Sequence, residues 1–266
     1  MTDAKSQQLN CTAVILARNE QDSIVRALES VRFCKQVIVY DDNSSDKTAT
    51  LARQKGAEVR EYSVGKDFSA ARNHALEHAK HDWVLFIDAD EVLSSALASE
   101  IWRIYSYDDN PYEVYYLRRR DFFWGSELMF GETMSVRSRG LPRLLRRGSG
   151  VWQGSVHEDF VTTAPTARLE GFIDHYAHKD LSQFITDINT YSSMRASEIV
   201  TSRPPAPFLT FELLVFPPLK FAWTYIVKLG FMDGAPGFVY SFMMSFHSFL
   251  ARAKAYQQLY LNKKSS

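Results

Sequence analysis

Strand-like and helix-like segments alternate through the first third of the chain, and this alternation limits the fold more than any other feature. TAVILA (12–17), QVIVY (36–40), AEVREY (57–62) and WVLFI (83–87) read as strands. VRALESV (25–31), SSDKTATLARQKG (44–56) and SAARNHALEHA (69–79) carry helical spacing between them. The unbroken apolar runs TAVILA and WVLFI predict strands buried on both faces. Strand and helix alternating at these intervals predict an α/β fold with a Rossmann-like, mostly parallel sheet flanked by helices. Ligands of such sheets bind outside the carboxyl ends of the strands. That rule gives scattered polar residues one address: Arg18, Asn19 and Glu20 after the first strand, Asp41 and Asp42 after the second, and Asp88, Asp90 and Glu91 after the fourth. Ser44, Ser45 and Asp46 are read as turn and cap residues instead.

The chain has 266 residues and is 45% hydrophobic, enough for one substantial core with an appendage. Lys and Arg total 31 against 31 Asp and Glu, so global charge gives no reason to expect a nucleic-acid partner. Cys11 and Cys34 are the only cysteines. Their apolar surroundings suit reduced, buried thiols of a cytosolic protein. The N-terminus MTDAKSQQLN lacks the apolar stretch of a secretory signal.

Asp88 and Asp90 flank Ala89 at the end of a buried strand. Two carboxylates so placed form a hard-oxygen site for Mg2+ or Mn2+, which keeps open positions for waters and phosphate oxygens. A nucleoside diphosphate fits such a site, with the cation stabilising it as a leaving group. No G-x-x-x-x-G-K-[ST] occurs, and the first strand runs into ARNEQDS rather than G-x-G-x-x-G. A P-loop hydrolase and a dinucleotide oxidoreductase are thereby disfavoured.

After the expected strand EVYYL (113–117), residues 118–147 read as a basic loop region with Arg118, Arg119, Arg120, Arg137, Arg139, Arg143, Arg146 and Arg147. Planar guanidinium suits phosphate, and the aromatics of DFFWG (121–125) suit a sugar face or an acyl boundary. The spacing predicts a helix over 180–200 with Asp180 and Gln183 as a capping box. Beyond RPPAP (203–207), segments 208–232 and 236–250 are rich in Phe, Trp, Tyr and Met but are interrupted by Glu212, Pro217, Pro218, Lys220, Lys228 and His247. They read as a helical cap on the core or as amphipathic helices in a membrane interface, and the density of large apolar groups favours the interface over a span. Within LGFMDGAPGF (229–238), the glycines predict a tight turn with Asp233 as an N-cap.

TAVILARNE, VIVYDDNSSDKT and FSAARNHALEHAKHDWVLFIDADE, in this order, resemble the nucleotide-sugar-binding half of a family 2 glycosyltransferase with the GT-A fold. YLRRRDFFWG, LPRLLRR, GSVHEDF, the helix around NTYSSMRASE and LGFMDGAPGF are similar to the bacterial branch that adds β-linked glucose to the lipopolysaccharide inner core. The resemblance implies a catalytic domain over 1–179 and a C-terminal helical region over 180–266 for membrane association and acceptor access. It implies a UDP-sugar donor held by Ala17, Arg18, Asn19, Glu20, Asp41, Asp42, Arg72, Asp88 and Ala89. Asp41 matches the acid that hydrogen-bonds uracil, and Arg72 matches a residue near the diphosphate. Asp90 is the expected direct metal ligand, with Asp88 nearer the ribose or reaching the metal through water.

Inverting transfer also needs a general base for the acceptor hydroxyl. In VHEDF (156–160), Glu158 is the expected base, His157 a metal or diphosphate contact, and Asp159 the fallback. Glu91 is read as a supporting or helix-start residue. The implied acceptor is a lipid-linked saccharide such as the lipopolysaccharide core, reached from the cytoplasmic side at an anionic membrane surface. Another donor such as UDP-N-acetylhexosamine or UDP-galactose, or a polyprenyl-linked or capsule acceptor, fits the same architecture. A nucleotidyltransferase lacks its glycine-rich basic loop here. A non-enzymatic membrane adaptor would need no metal-dependent affinity for UDP.

Overall fold

The computed structural model describes residues 8–63, 67–105, 110–154, 158–178 and 180–262. The chain divides into two compact units. One takes the chain up to Arg120 together with Val136–His175; the other takes Asp121–Ser135 and the chain from Tyr176 onward.

The first unit begins with the predicted alternation: β1 (Leu9–Ala17), α1 (Ile24–Ser30), β2 (Cys34–Asp41), α2 (Thr48–Gln54), β3 (Glu58–Glu61), α3 (Phe68–His78) and β4 (Trp83–Asp88). β3, β2, β1 and β4 lie side by side in that order, all parallel. Period-two alternation explains the double burial. Cys11, Ala13 and Ile15 of β1 face one core with Leu85 and Ile87, while Val14 faces the other with Ile38, Val84 and Phe86. Each large apolar side chain so buried contributes roughly 1.5–3 kcal/mol. Thr12 is buried too, and its hydroxyl donates to Gln36 Oε1 at 2.8 Å, which removes the cost of an unmet polar group. Cys11 and Cys34 are free thiols in this core.

The helix expected from Ser44 starts later, at Thr48, after a turn held by Asp46. Its carboxylate accepts from the Thr48 amide at 2.9 Å and the Gln21 amide at 3.1 Å.

Register sets the site. Ala17 pairs with Asp41 across β1/β2, and Leu16 with Asp88 across β1/β4, so these strand ends share one edge.

The remainder continues the sheet. β5 (Glu91–Leu93), α4 (Ser95–Tyr105), β6 (Val114–Phe123), β7 (Ser126–Leu128), α5 (Met134–Arg139), β8 (Leu141–Arg146), β9 (Gly150–Gln153), β10 (Asp159–Thr162) and β11 (Thr166–His178) follow in chain order. Beyond β4 the sheet runs β8, β6, β11, β5, with β4/β8, β8/β6 and β11/β5 antiparallel. β9 and β10 form a separate antiparallel pair. The segment expected to be a basic loop is therefore mostly regular structure. Arginine does not prevent a strand where alternate side chains find carboxylates. On β6, Arg118 meets Glu170 at 2.8 Å and Arg120 meets Asp174 at 2.5 Å, while Arg119 lies 3.7 Å from Glu91.

In the second unit, α6 (Leu181–Ser202) is capped as predicted by Asp180, whose carboxylate accepts from the Gln183 amide at 2.8 Å. The Gln183 side chain donates to Asp187 at 2.8 Å, one turn further along the helix. α7 (Ala206–Phe221) contains Pro217 and Pro218 and runs into a π-type stretch over Ala222–Val227. α8 (Gly234–Tyr256) packs on α6 and α7. Its buried side is a row of small residues, Gly237, Ser241, Ser245, Ser248, Ala251 and Ala255, joined by Met243, while Phe238, Phe242 and Phe249 point outward. Asp233 is not the side-chain cap expected for α8. Its carboxylate accepts from the Met129 amide at 3.1 Å and the Phe130 amide at 2.9 Å, tying two loops of this unit together. No helix among the described residues is long and apolar enough to cross a membrane.

Where β11 crosses α4, Gly171 has no room for a side chain. A Cβ there would lie 2.6 Å from the Leu97 backbone, and the Gly171 amide donates to Glu100 at 3.2 Å. Gly171→Ala is expected to lower stability by roughly 1–3 kcal/mol in urea unfolding through overpacking. An unchanged midpoint would mean that α4 can retreat without cost.

Candidate functional site

The carboxyl edge of β1, β2 and β4 carries the residues singled out from the sequence. Asp41 is buried; one oxygen accepts from the Ser44 amide at 3.2 Å, and the other, Oδ1, meets no partner among the described residues. Asn19 takes a left-handed backbone with φ of 56°. Its side chain accepts from the Ser45 amide at 2.8 Å, its own amide donates to Ser44 Oγ at 2.9 Å, and the Glu20 amide donates to Thr48 Oγ1 at 2.7 Å. Asn19 and Glu20 thus stitch the loop after β1 to the loop after β2. Arg18 reaches Asp42 at 3.3 Å with most of its side chain in solvent, while Ala17 accepts from the Asp42 amide at 2.9 Å.

β4 ends in a chain of alternating charges. Arg143 of β8 is buried and donates to Asp88 at 2.7 Å and to Glu91 at 3.1 Å. Glu91 is fully buried, and its second oxygen accepts from the Asp88 amide at 2.9 Å. Arg72 of α3 donates to Asp88 at 3.1 Å and to Glu158 at 2.5 Å, and its planar group stands 5.1 Å from the Trp152 ring. Arg72 Nη1 is left without a partner among the described residues.

The resulting fields differ. At Asp88 burial favours the neutral acid, but the guanidiniums of Arg143 and Arg72 outweigh it and hold the carboxyl far below the ordinary carboxylate range. At Glu158 burial is the stronger effect; Arg72 offsets only part of it, and the pKa is raised.

Asp90 stands apart from the guanidiniums. Its Oδ2 lies 3.3 Å from His175 Nε2, because β11 brings His175 opposite Glu91 in the β5 ladder. Burial opposes the charge of Asp90, and His175 more than compensates, so its carboxyl titrates below the usual range. Ala89, between the two acids, is buried. Asp159 opens β10 with an exposed side chain, whereas Glu158 is tucked against Arg72. His157 lies outside the described residues. Among the described residues no group of three or more His, Cys, Asp or Glu side chains gathers as a metal cluster.

Two site residues were not legible as such. His175 sits in IDHYAH with no motif around it; only the β5/β11 register reveals it. Arg143 read as part of an anion-binding basic loop, but β8 buries it against Asp88 and Glu91, and Arg146 and Arg147 also pair with carboxylates, Glu113 at 3.3 Å and Asp82 at 3.4 Å. Removing one side of a buried charge pair leaves the other uncompensated. Arg143→Met is therefore expected to cost roughly 3–5 kcal/mol, and adding Glu91→Leu to recover part of it. Urea unfolding of both variants checks this; a double variant no better than the single would sink the account.

The glycosyl transferase family 2 model matches residues 12–192. The lipopolysaccharide core biosynthesis glycosyltransferase LpsC of Rhizobium meliloti is 28% identical over 259 residues, spanning 94% of this chain and 93% of LpsC. An uncharacterized glycosyltransferase of Rickettsia typhi is 28% identical over 249 residues, spanning 90% of this chain and 84% of its own. Among solved structures, the mannosyltransferase PcManGT from Pyrobaculum calidifontis, in complex with GDP-Man and Mn2+, matches with a TM-score of 0.55 at 15% identity, over 95% of this chain and 88% of that one. That likeness is one of fold, the GT-A arrangement expected from the sequence. With the match running from β1 through every strand of the site and into α6, the chain belongs to glycosyl transferase family 2 and is a glycosyltransferase.

Proposed function

We propose that this enzyme transfers a hexose, glucose from UDP-glucose in the leading reading, with inversion onto a lipid-linked saccharide of the lipopolysaccharide core. One observation carries the donor assignment: among the described residues, the acceptor Asp41 Oδ1 and the donor Arg72 Nη1 of the strand-end site are buried and meet no partner. A buried polar atom without a partner is costly, and a uridine diphosphate supplies both partners, an imide N–H for Asp41 and a phosphate oxygen for Arg72. The relationship to LpsC supports the acceptor class. Large apolar side chains exposed on α7 and α8, such as Phe211, Leu214, Leu219 and Phe242, support work at a membrane face, with the cytoplasmic leaflet as the expected side.

Asp90 and His175 suit a divalent cation. Their facing atoms stand 3.3 Å apart, close to the spacing of about 3 Å between neighbouring ligands of an octahedral ion with bonds near 2.1 Å. A carboxylate with an imidazole suits Mn2+, and two protein ligands leave positions for diphosphate oxygens and water. Bound there, the cation would neutralise the diphosphate as leaving group. Asp88 is a positioning residue in this reading: its oxygens face Arg72 and Arg143 and hold both guanidiniums at the site.

Glu158 is the proposed base. The acceptor hydroxyl oxygen attacks the anomeric carbon, the bond from that carbon to the diphosphate oxygen breaks, and the hydroxyl proton passes to the Glu158 carboxylate. A carboxylate pushed up by burial is a better proton acceptor than one in water.

Glu158→Gln is expected to lower turnover by about 10²–10⁴-fold with little change in UDP-glucose affinity. The base works only when deprotonated. Since its pKa is raised, wild-type activity should fall with decreasing pH along a limb centred above the usual glutamate value of about 4.3. Near-normal turnover of Glu158→Gln would place the base elsewhere.

Asp90→Asn and His175→Ala should each abolish the Mn2+-dependent part of UDP binding in calorimetric titration while leaving the folded far-ultraviolet spectrum intact. Titrating wild type with UDP-glucose, UDP-galactose, UDP-N-acetylglucosamine and GDP-mannose, with and without Mn2+, tests the donor assignment. Preference for GDP-mannose would overturn it.

A further inference from the structure

Trp124 stands at the tip of the β6/β7 hairpin. Phe123 pairs with Ser126, so Trp124 and Gly125 alone make the turn. Both have positive φ, 52° for Trp124 and 76° for Gly125. Two-residue turns with positive φ at both positions favour Asn, Asp and Gly, since a bulky side chain strains the left-handed region. A tryptophan there works against local stability, and such outliers persist where the neighbourhood over-determines them and function uses them.

The ring is backed by a packed aromatic cluster. One face of the indole lies on Phe123, with ring centres 4.8 Å apart and planes within 20°. Phe123 is buried and is held edge-on by Phe184 at 5.5 Å and Tyr240 at 6.1 Å. His178 stacks on the Phe184 ring at 3.8 Å, and its Nδ1 lies 3.1 Å from Asp187. All of these belong to the second unit. Trp124 is nonetheless 48% exposed, as expected of a ring covered on one side and open on the other.

We propose that the open face of Trp124 is the stacking platform for a sugar ring of the acceptor. This rests on the reading of the protein as a transferase with a saccharide acceptor. The C–H face of a pyranose is flat and weakly polar, and an aromatic plane fixed in advance receives it without the entropy cost of ordering a mobile side chain. A lipid surface does not require such fixing: an interfacial tryptophan needs depth, not a set ring orientation.

The test uses the full-length enzyme, Trp124→Asn and Trp124→Phe, with lipopolysaccharide core oligosaccharide freed of its acyl chains as the probe. Asn tolerates the left-handed backbone, so Trp124→Asn should unfold at the same or higher urea concentration than wild type. Its UDP-glucose affinity should be unchanged, while its dissociation constant and KM for the oligosaccharide rise about tenfold or more and kcat is retained. Trp124→Phe keeps a ring and should lose less. Unchanged oligosaccharide binding by Trp124→Asn would overturn the platform and leave the donor reading standing. A loss seen only with acylated acceptor in bilayers would also overturn it, in favour of a membrane contact. If wild type binds UDP-glucose but not the oligosaccharide, the platform falls with the acceptor assignment; if it binds neither, the functional reading falls as well.

Discussion

The contact between Arg143 and the carboxylates of Asp88 and Glu91 is the constraint around which the site is built. Three acids at the end of a buried strand repel one another and resist leaving water. With Arg72 also at Asp88 and His175 at Asp90, the buried Arg143 guanidinium, 2.7 Å from Asp88 and 3.1 Å from Glu91, makes their burial tolerable. Its planar fork engages two carboxylates at once, which a lysine ammonium at the same place does less well. Glu91 then fixes the β4 terminus from behind by accepting the Asp88 amide.

This arrangement divides labour among acids that look alike in the sequence. Asp88 is held by two arginines and orients them. Asp90 turns to His175 instead, the pair proposed to hold the cation. Glu158 shares Arg72 with Asp88 yet is buried enough that its proton affinity rises where that of Asp88 falls. Neighbouring carboxyl groups pushed in opposite directions are a recurring way for one site to hold a charge and accept a proton at the same pH.

The second unit follows a different logic. α8 buries its glycine, serine and alanine row, so neighbouring helices approach closely, while its phenylalanines remain outside with the large apolar residues of α7. Apart from Met243, small residues inward and large apolar residues outward invert the pattern of a helix in water, which supports the proposed membrane-facing role. The sequence signalled this through the density of aromatic residues, but not which helix face would carry them.

The sequence by itself determined the alternating α/β core, the shared edge of the strands ending at Ala17, Asp41 and Asp88, the Asp180 cap of α6 and the family. These follow from patterns local to a few residues, where hydrophobic period and capping chemistry act over one or two turns. Glu91, read as a supporting or helix-start residue, lies in β5 and accepts the Asp88 amide. The arginines read as an anion-binding loop because the carboxylates that they meet arrive from elsewhere in the chain. Only the tertiary structure decided which cation meets which acid. Arg143 reaches Asp88 across 55 positions, Glu158 meets Arg72 across 86, and His175 comes to Asp90 through the register of β5 with β11. Strand register between distant segments is a collective outcome of packing both faces of the sheet, and no short stretch of sequence encodes it.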